Sequence, residues 1–341
     1  MMNRIIHNVI KPAAILILSA VVFSCSVQPR HDVKADVKQR YPRPCRFQEV
    51  WAYLMKGEES KITGRETLTD ILYFGCSVTR DGRLRGSTAP PALSFSASAP
   101  RIHLVVFNLA SPALLHGCLD RNGRAREALI GDIAAASERF AGIQIDFESL
   151  YPEDGRAYVD FLSDLKKRMP GKTLSAAVPV RMNWSVRSAY DYAAIADVVD
   201  KVFIMAYDQH WETSQAGPIS SLSWCDTAAG NATIFIPREK LVMGIPLYGR
   251  VWQGKKINRA VTYNQAVELS KQSREALNSC PDRGPSFEYT EQVRVRVFYE
   301  DISSIHAKLK LYKEYQIPSV AFWRIGQGPR DLWDTVVIGI R

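Results

Sequence analysis

Gly142-Ile143-Gln144-Ile145-Asp146-Phe147-Glu148 alternates between apolar and polar side chains, and its reading decides the fold. Alternation with period two marks a β-strand, because successive strand side chains point to opposite faces. Ile143, Ile145 and Phe147 then share one face, which packs outward against helices, while Gln144, Asp146 and Glu148 share the other. Two carboxyls and an amide in one environment suggest a site. Burial is costly for a charged group, and neighbouring acids push their pKa values apart until one holds its proton near neutral pH. The spacing by itself fits equally a half-exposed strand with a solvated acidic face.

Similar short apolar runs occur at 50–54, 70–75, 102–107, 174–179, 202–205, 241–246 and 319–323, making eight with 142–147. Most connections between them carry helical spacing, as in Leu129, Ile130, Ile133 and Ala136, or Tyr158, Phe161, Leu162 and Leu165. Eight such units predict an α/β fold, a closed (β/α)8 TIM barrel. An open doubly wound sheet is the alternative, but no glycine-rich phosphate loop follows an early strand. Roughly 70 residues separate the seventh run, ending near Gly249, from Ser319, too many for a plain loop. Within them 263–277 reads as a helix and 287–289 and 293–299 as strands. A small α+β insertion, at about 255–300, is therefore expected between strands 7 and 8, where it would wall one side of a cleft.

The 341 residues are 46% hydrophobic and 23% charged, a folded globular composition that nothing forces into two domains. Arg4 and Lys11 are followed by an apolar run, 13–23, too short to span a bilayer. Val22-Phe23-Ser24-Cys25 then resembles a bacterial lipoprotein processing box. On that reading residues 1–24 are a signal peptide, Cys25 carries the lipid, 25–44 is a proline-containing tether and 45–341 is the barrel. The chain would be held to a membrane of the bacterial cell envelope. A conventional signal peptide cut nearby is the alternative, and both export the protein.

Removing 1–24 takes Arg4 and Lys11 and no acid, so the formal charge of +9 becomes +7. A basic surface suits anionic wall polymers or headgroups, and serves solubility equally. No nucleic-acid motif is present, and a monomer is expected. Cys45, Cys76, Cys118, Cys225 and Cys280 are an odd set with neither zinc spacing nor a disulfide-scaffold pattern. His103, His116, His210 and His306 also lack ligand spacing, so no metal is expected.

In barrels the active site lies at the C-terminal strand ends. There the chain offers Asp146 and Glu148 on strand 4, Met205-Ala206-Tyr207-Asp208 on strand 6, Tyr248 on strand 7 and Trp323-Arg324 on strand 8. Trp51 and Tyr53 end strand 1, and Arg250 follows Tyr248 in a turn that could bind or simply shape the loop. Aromatic faces stack on pyranose rings while acids bind hydroxyls or donate protons, so this mouth suits a sugar.

Four motifs, Gly142-Ile-Gln-Ile-Asp-Phe-Glu148, Met205-Ala-Tyr-Asp208, Gly244-Ile-Pro-Leu-Tyr-Gly249 and Trp323-Arg-Ile-Gly326, together resemble glycoside hydrolase family 18. The last is most similar to bacterial cell-wall and spore-cortex glycosidases of that family. The resemblance implies a retaining hydrolase of β-linked N-acetylglucosamine-containing glycans in which the substrate's 2-acetamido oxygen is the nucleophile. It implies Glu148 as acid/base, Asp146 orienting the acetamido group, Tyr207 donating to its oxygen, Asp208 positioning the sugar and Trp323 as floor. Met205, Gln144, Tyr248, Tyr53 and Arg250 join as substrate-binding candidates, and no metal or organic cofactor is implied. Two positions depart from the fullest motif: Ala141 and Gln144 stand where the family places acids. Gln144 can hydrogen-bond Asp146 but cannot relay a proton. Peptidoglycan is the first substrate expected, chitin and glycoprotein glycans the next. A weakly active or inactive lectin of the same fold is the rival.

Overall fold

The computed structural model describes residues 42–95, 98–109, 111–254, 257–273, 275–290 and 293–339. The expected signal peptide, Cys25 and the tether up to residue 41 lie outside the described residues. Eight parallel strands close a barrel: β1 (Glu49–Met55), β2 (Asp70–Val78), β3 (Arg101–Asn108), β4 (Gly142–Phe147), β5 (Thr173–Pro179), β6 (Lys201–Met205), β7 (Leu241–Pro246) and β8 (Ser319–Trp323). Each pairs with the next, and β8 returns to β1 in register from Ser319 opposite Glu49 to Phe322 opposite Ala52.

Helices α1 (Pro112–Leu119), α2 (Arg124–Ser137), α3 (Gly155–Lys167), α4 (Tyr192–Val198) and α5 (Leu222–Phe235) cross between strands; α6 (Tyr263–Ser273) and α7 (Ile302–Glu314) follow β7. α3 shows why they pack as they do. Tyr158, Phe161, Leu162 and Leu165 recur at i, i+3, i+4 and i+7 and are wholly buried, each contributing ~1.5–3 kcal/mol. Tyr158 and Phe161 meet Phe147 at ring separations of 6.2 and 5.7 Å. Ile143 and Ile145 join the same outer core, as the alternation requires, while Trp51, Tyr53, Leu72, Phe74 and Phe203 fill a separate cluster inside the barrel.

Among the described residues, the first two connections hold no α-helix where one was expected. A single 3-10 turn (Glu59–Lys61) lies between β1 and β2, and a short strand (Leu84–Gly86), antiparallel to β2, lies between β2 and β3. Pro90, Pro91 and Pro100 deny the second connection a helix, and Gly86 is needed where a Cβ would fall 2.0 Å from the Gly75 carbonyl oxygen.

The insertion starts earlier than about 255. β7 ends at Pro246, which has no N–H to give the ladder, and a new antiparallel strand, Tyr248–Gln253, begins two residues later. Tyr248 therefore opens the insertion instead of ending β7. Its sheet runs in the order Ile257–Thr262, Tyr248–Gln253, Arg294–Phe298, Gly284–Thr290, Asn278–Cys280. Val251, Val261, Phe287, Val295 and Val297 seal one face together with Ala266 of α6. The other face sets Tyr248, Trp252 and Phe298 against Ile219, with Tyr207 and Trp323 packed beside them.

At the opposite end of the barrel, Asp70 accepts from His103 at 2.7 Å and Arg101 at 2.8 Å. Gly142 starts β4 there because a Cβ would lie 2.5 Å from His103 Nδ1 and 2.4 Å from the Thr173 carbonyl oxygen. The segment Cys45–Phe47 pairs with Val336–Ile338 and leads directly into β1, so the chain enters at this end, away from the mouth. Cys45, Cys76, Cys118 and Cys225 are free thiols.

Candidate active site

The parallel ladder brings every strand's C-terminus to one rim, where the polar rows of β4, β6 and β8 emerge. Gln144 and Asp146 point inward at 0% and 3% exposure. Glu148 follows β4, its N–H held at 2.9 Å by the Asn108 carbonyl. Tyr53 reaches across the barrel from β1 and donates its hydroxyl to Gln144 Oε1 at 2.5 Å. Gln144 thus bonds Tyr53 and not Asp146. Gln144 Nε2 and Asp146 Oδ1 are both buried without a partner among the described residues. Orphaned buried polar atoms are costly, so two of them on one inward strand row call for an explanation, and a ligand partner is one.

Burial raises the Asp146 carboxyl well above the usual range, and the Glu148 charge adds to the effect. Burial, then the charge of Asp208, pushes Glu148 up to about 7. Such a carboxyl can give and take a proton near neutral pH. Tyr190, on the connection between β5 and α4, clamps the turn that follows. Its hydroxyl donates to the Phe147 carbonyl at 2.8 Å and accepts the Leu150 N–H at 3.4 Å.

At the end of β6, Met205 and Tyr207 border the inner aromatic cluster. Asp208 has a φ of 55°, the left-handed region, which costs a non-glycine residue about 1–3 kcal/mol. Two donors hold it there: Tyr248 Oη at 2.5 Å and Arg250 Nη2 at 3.1 Å, both to Asp208 Oδ1. At the end of β8 the Trp323 ring lies 4.7 Å from Tyr53, 5.4 Å from Phe74 and 6.4 Å from Tyr207. The peptide bond to Arg324 is cis, and the Arg324 guanidinium pairs with Glu58.

Every expected site residue within the described region is therefore gathered at this mouth. Tyr248 and Arg250, which a plain turn would also explain, engage Asp208 directly. Sequence reasoning missed Tyr190, Phe74 and Trp252. Trp252 could have been found by continuing the alternation from Tyr248 and Arg250, whereas nothing local to Tyr190 signals its contact with β4. Among the described residues no three His, Cys, Asp or Glu side chains converge as a metal site would require.

Fold and mouth together define a (β/α)8 barrel that gathers two neighbouring carboxyls and a group of aromatic rings at its C-terminal rim, an arrangement of the carbohydrate-active kind. The chain belongs to family 18 of the glycosyl hydrolases, whose pattern matches residues 122–328. The cortical fragment-lytic enzyme of Bacillus anthracis is 29% identical over 279 residues, 76% of this chain and 65% of that protein. Its Bacillus subtilis counterpart is 27% identical over 313 residues, 84% of this chain and 73% of that protein. The crystal structure of the Bacillus cereus spore cortex-lytic enzyme SleL superposes with a TM-score of 0.76 at 26% identity, covering 86% of this chain and 76% of that one. A Chromobacterium violaceum chitinase, at 20% identity and a TM-score of 0.75 over 85% of this chain and 98% of its own, shares the fold. The chain spans 55% to 65% of the length of several curated relatives that it matches.

Proposed function

We propose that the protein is a retaining glycoside hydrolase acting on β-linked N-acetylglucosamine-containing glycans. The observation that carries this is the Glu148 carboxyl, pushed up to about 7 beside the buried Asp146, at the mouth where the Trp323 ring meets Tyr53 and Tyr207. In the proposed reaction the sugar's acetamido oxygen attacks its own anomeric carbon while Glu148 gives its proton to the departing glycosidic oxygen. Asp146 and Gln144, with their unpartnered Oδ1 and Nε2, face the acetamido group, Asp146 supporting the positive oxazolinium that results. Tyr207 donates to the acetamido oxygen. Asp208, fixed by Tyr248 and Arg250, binds a hydroxyl, and Trp323, with Tyr53 and Met205 behind it, carries the ring. Glu148 then takes a proton from water, which opens the oxazolinium at the same carbon with net retention.

Peptidoglycan is the substrate we favour, because several similar relatives are named cortical fragment-lytic enzymes. The proposed lipid at Cys25 agrees with the geometry: the chain joins the barrel at the end opposite the cleft, so a lipid-anchored protein would turn its mouth away from the membrane. The test uses the full chain and Glu148→Gln, each incubated with N-acetylglucosamine oligomers and purified peptidoglycan. Mass spectrometry reads the new ends, and early-time NMR reads their anomeric form. The expected result is a β-anomer released first and a roughly 100- to 10,000-fold loss in the variant. Tight binding with no product from either protein would make this a lectin, the reading that Ala141 and Gln144 would then explain.

A further inference from the structure

The mouth-facing surface of the insertion continues beyond the residues that hold Asp208. Alternation along Tyr248–Gln253 puts Tyr248, Arg250 and Trp252 on one face. The register sets Arg296 and Asn258 opposite Trp252, and Glu288 opposite Arg296; Arg294 shares that face two residues earlier. Glu288 accepts from the Nε of Arg294 at 2.8 Å and from that of Arg296 at 2.6 Å. One carboxylate thus holds two guanidiniums side by side by a single nitrogen each. The loop after β6 stands across from them with Glu212, Ser214 and Gln215, tied to the sheet where Asn258 Nδ2 donates to the Glu212 carbonyl. Between loop and sheet lies a cavity of about 660 Å³.

Hydroxyls of a neutral glycan need no such pair of guanidiniums, whereas a planar fork of N–H donors matches a carboxylate. We propose that this cavity is a subsite for a carboxylate-bearing substituent of the glycan, so that the protein selects an acidic N-acetylglucosamine-containing polymer over a neutral one. The proposal rests on the reading of the Glu148 cleft as a glycan site. Trp252 joins the two, since it packs with Tyr248, Tyr207 and Trp323 and borders the cavity. At ~3.3 Å per residue it lies about 13 Å along the strand from Tyr248, so the cavity serves a unit beyond the one cleaved. In a bacterial wall glycan that carboxylate comes from a free lactyl ether on the neighbouring sugar or from its attached peptide.

The test compares the full chain with Arg294→Gln/Arg296→Gln on three oligosaccharides of equal length: neutral N-acetylglucosamine, lactyl-bearing without peptide, and peptide-bearing with the lactyl group amidated. The wild type should favour a carboxylate-bearing oligomer, and the variant should lose roughly 10- to 100-fold of that preference, expressed in KM. The loss should shrink as salt rises, because both arginines are 40% or more exposed. Loss on the peptide-free oligomer assigns the lactyl group, and loss confined to the peptide-bearing one assigns the peptide. An unchanged preference, or an equal loss on the neutral oligomer, overturns the subsite. The charge reversal Arg296→Glu should deepen the loss, which guards against an uninformative glutamine variant. Calorimetric binding to Glu148→Gln separates the two readings. If nothing is cut but carboxylated oligomers bind in an arginine-dependent way, the hydrolase falls and the subsite stands; if the neutral oligomer is cut and the arginines have no effect, only the subsite falls.

Discussion

Glu148→Gln should do more than stop cleavage: it should make the protein more stable, and only at high pH. The carboxyl sits at about 7 in the folded protein against an ordinary 4.5. Each unit of difference corresponds to ~1.4 kcal/mol, so ionising Glu148 costs the folded state at most about 3.5 kcal/mol, less what solvent screens at this partly exposed group. The sign follows from proton binding. Between 4.5 and 7 the folded state holds a proton that the unfolded state has released, so wild-type stability falls across that window and levels off above it. Below the window both states are protonated and the cost is absent.

Glutamine carries no charge at any pH. The variant should match the wild type near pH 4 and exceed it by about 2–3 kcal/mol near pH 8, a shift of roughly 1 M in the urea midpoint. Asp146 reinforces the difference, since the Glu148 charge contributes to its own elevation. Urea unfolding of both proteins at the two pH values is the assay. A gain that is the same at both would refute the reasoning, because it would come from packing and not from a strained charge. In the active protein the same carboxyl sets the alkaline limb of kcat/KM, which should fall tenfold per unit above about 7.

Three further outcomes follow from named contacts. Asp208→Asn removes the second cause of the Glu148 elevation while keeping an acceptor for Tyr248 and Arg250 in a residue that tolerates the left-handed region. The alkaline limb of its pH profile should move to between 4.5 and 7, and an unmoved limb would mean that Asp208 does not act on Glu148. Tyr190→Phe releases the turn after Glu148, so kcat should fall roughly tenfold with KM little changed, measured on N-acetylglucosamine oligomers. Lys308→Met leaves Glu300 charged and unpaired at 2% exposure and should cost about 3–5 kcal/mol in urea unfolding. Adding Glu300→Leu should restore most of that, and a double variant as weak as the single would contradict the ion-pair explanation.

What was legible in the sequence, and what was not, divides along a physical line. The barrel strands could be read because seven are mainly apolar runs and β4 is a strict alternation, both of them properties of adjacent residues. The inward row of β4 was legible for the same reason, since alternation needs only neighbours. The insertion was legible in its existence, from loop length, but not in its start: apolar character continues through Ile245, Pro246, Leu247 and Tyr248, so the change of direction after Pro246 leaves no mark in composition. The bond from Tyr53 to Gln144 joins residues 91 apart, and only closure of the barrel brings them into register.

That bond also accounts for the amide at a position where the family places an acid. Gln144 is fully buried and must satisfy the Tyr53 hydroxyl; an amide oxygen does so without charge. A carboxylate there would add a third acid to a row in which Asp146 is already raised by burial and then by its neighbour, and would drive Glu148 higher still. With glutamine the row holds two acids, and Glu148 stays at about 7, where a single group can serve as both acid and base. The departure from the family pattern therefore lowers the charge of the site while keeping its geometry, and a Gln144→Asp variant should show it by an alkaline limb displaced upward from that of the wild type.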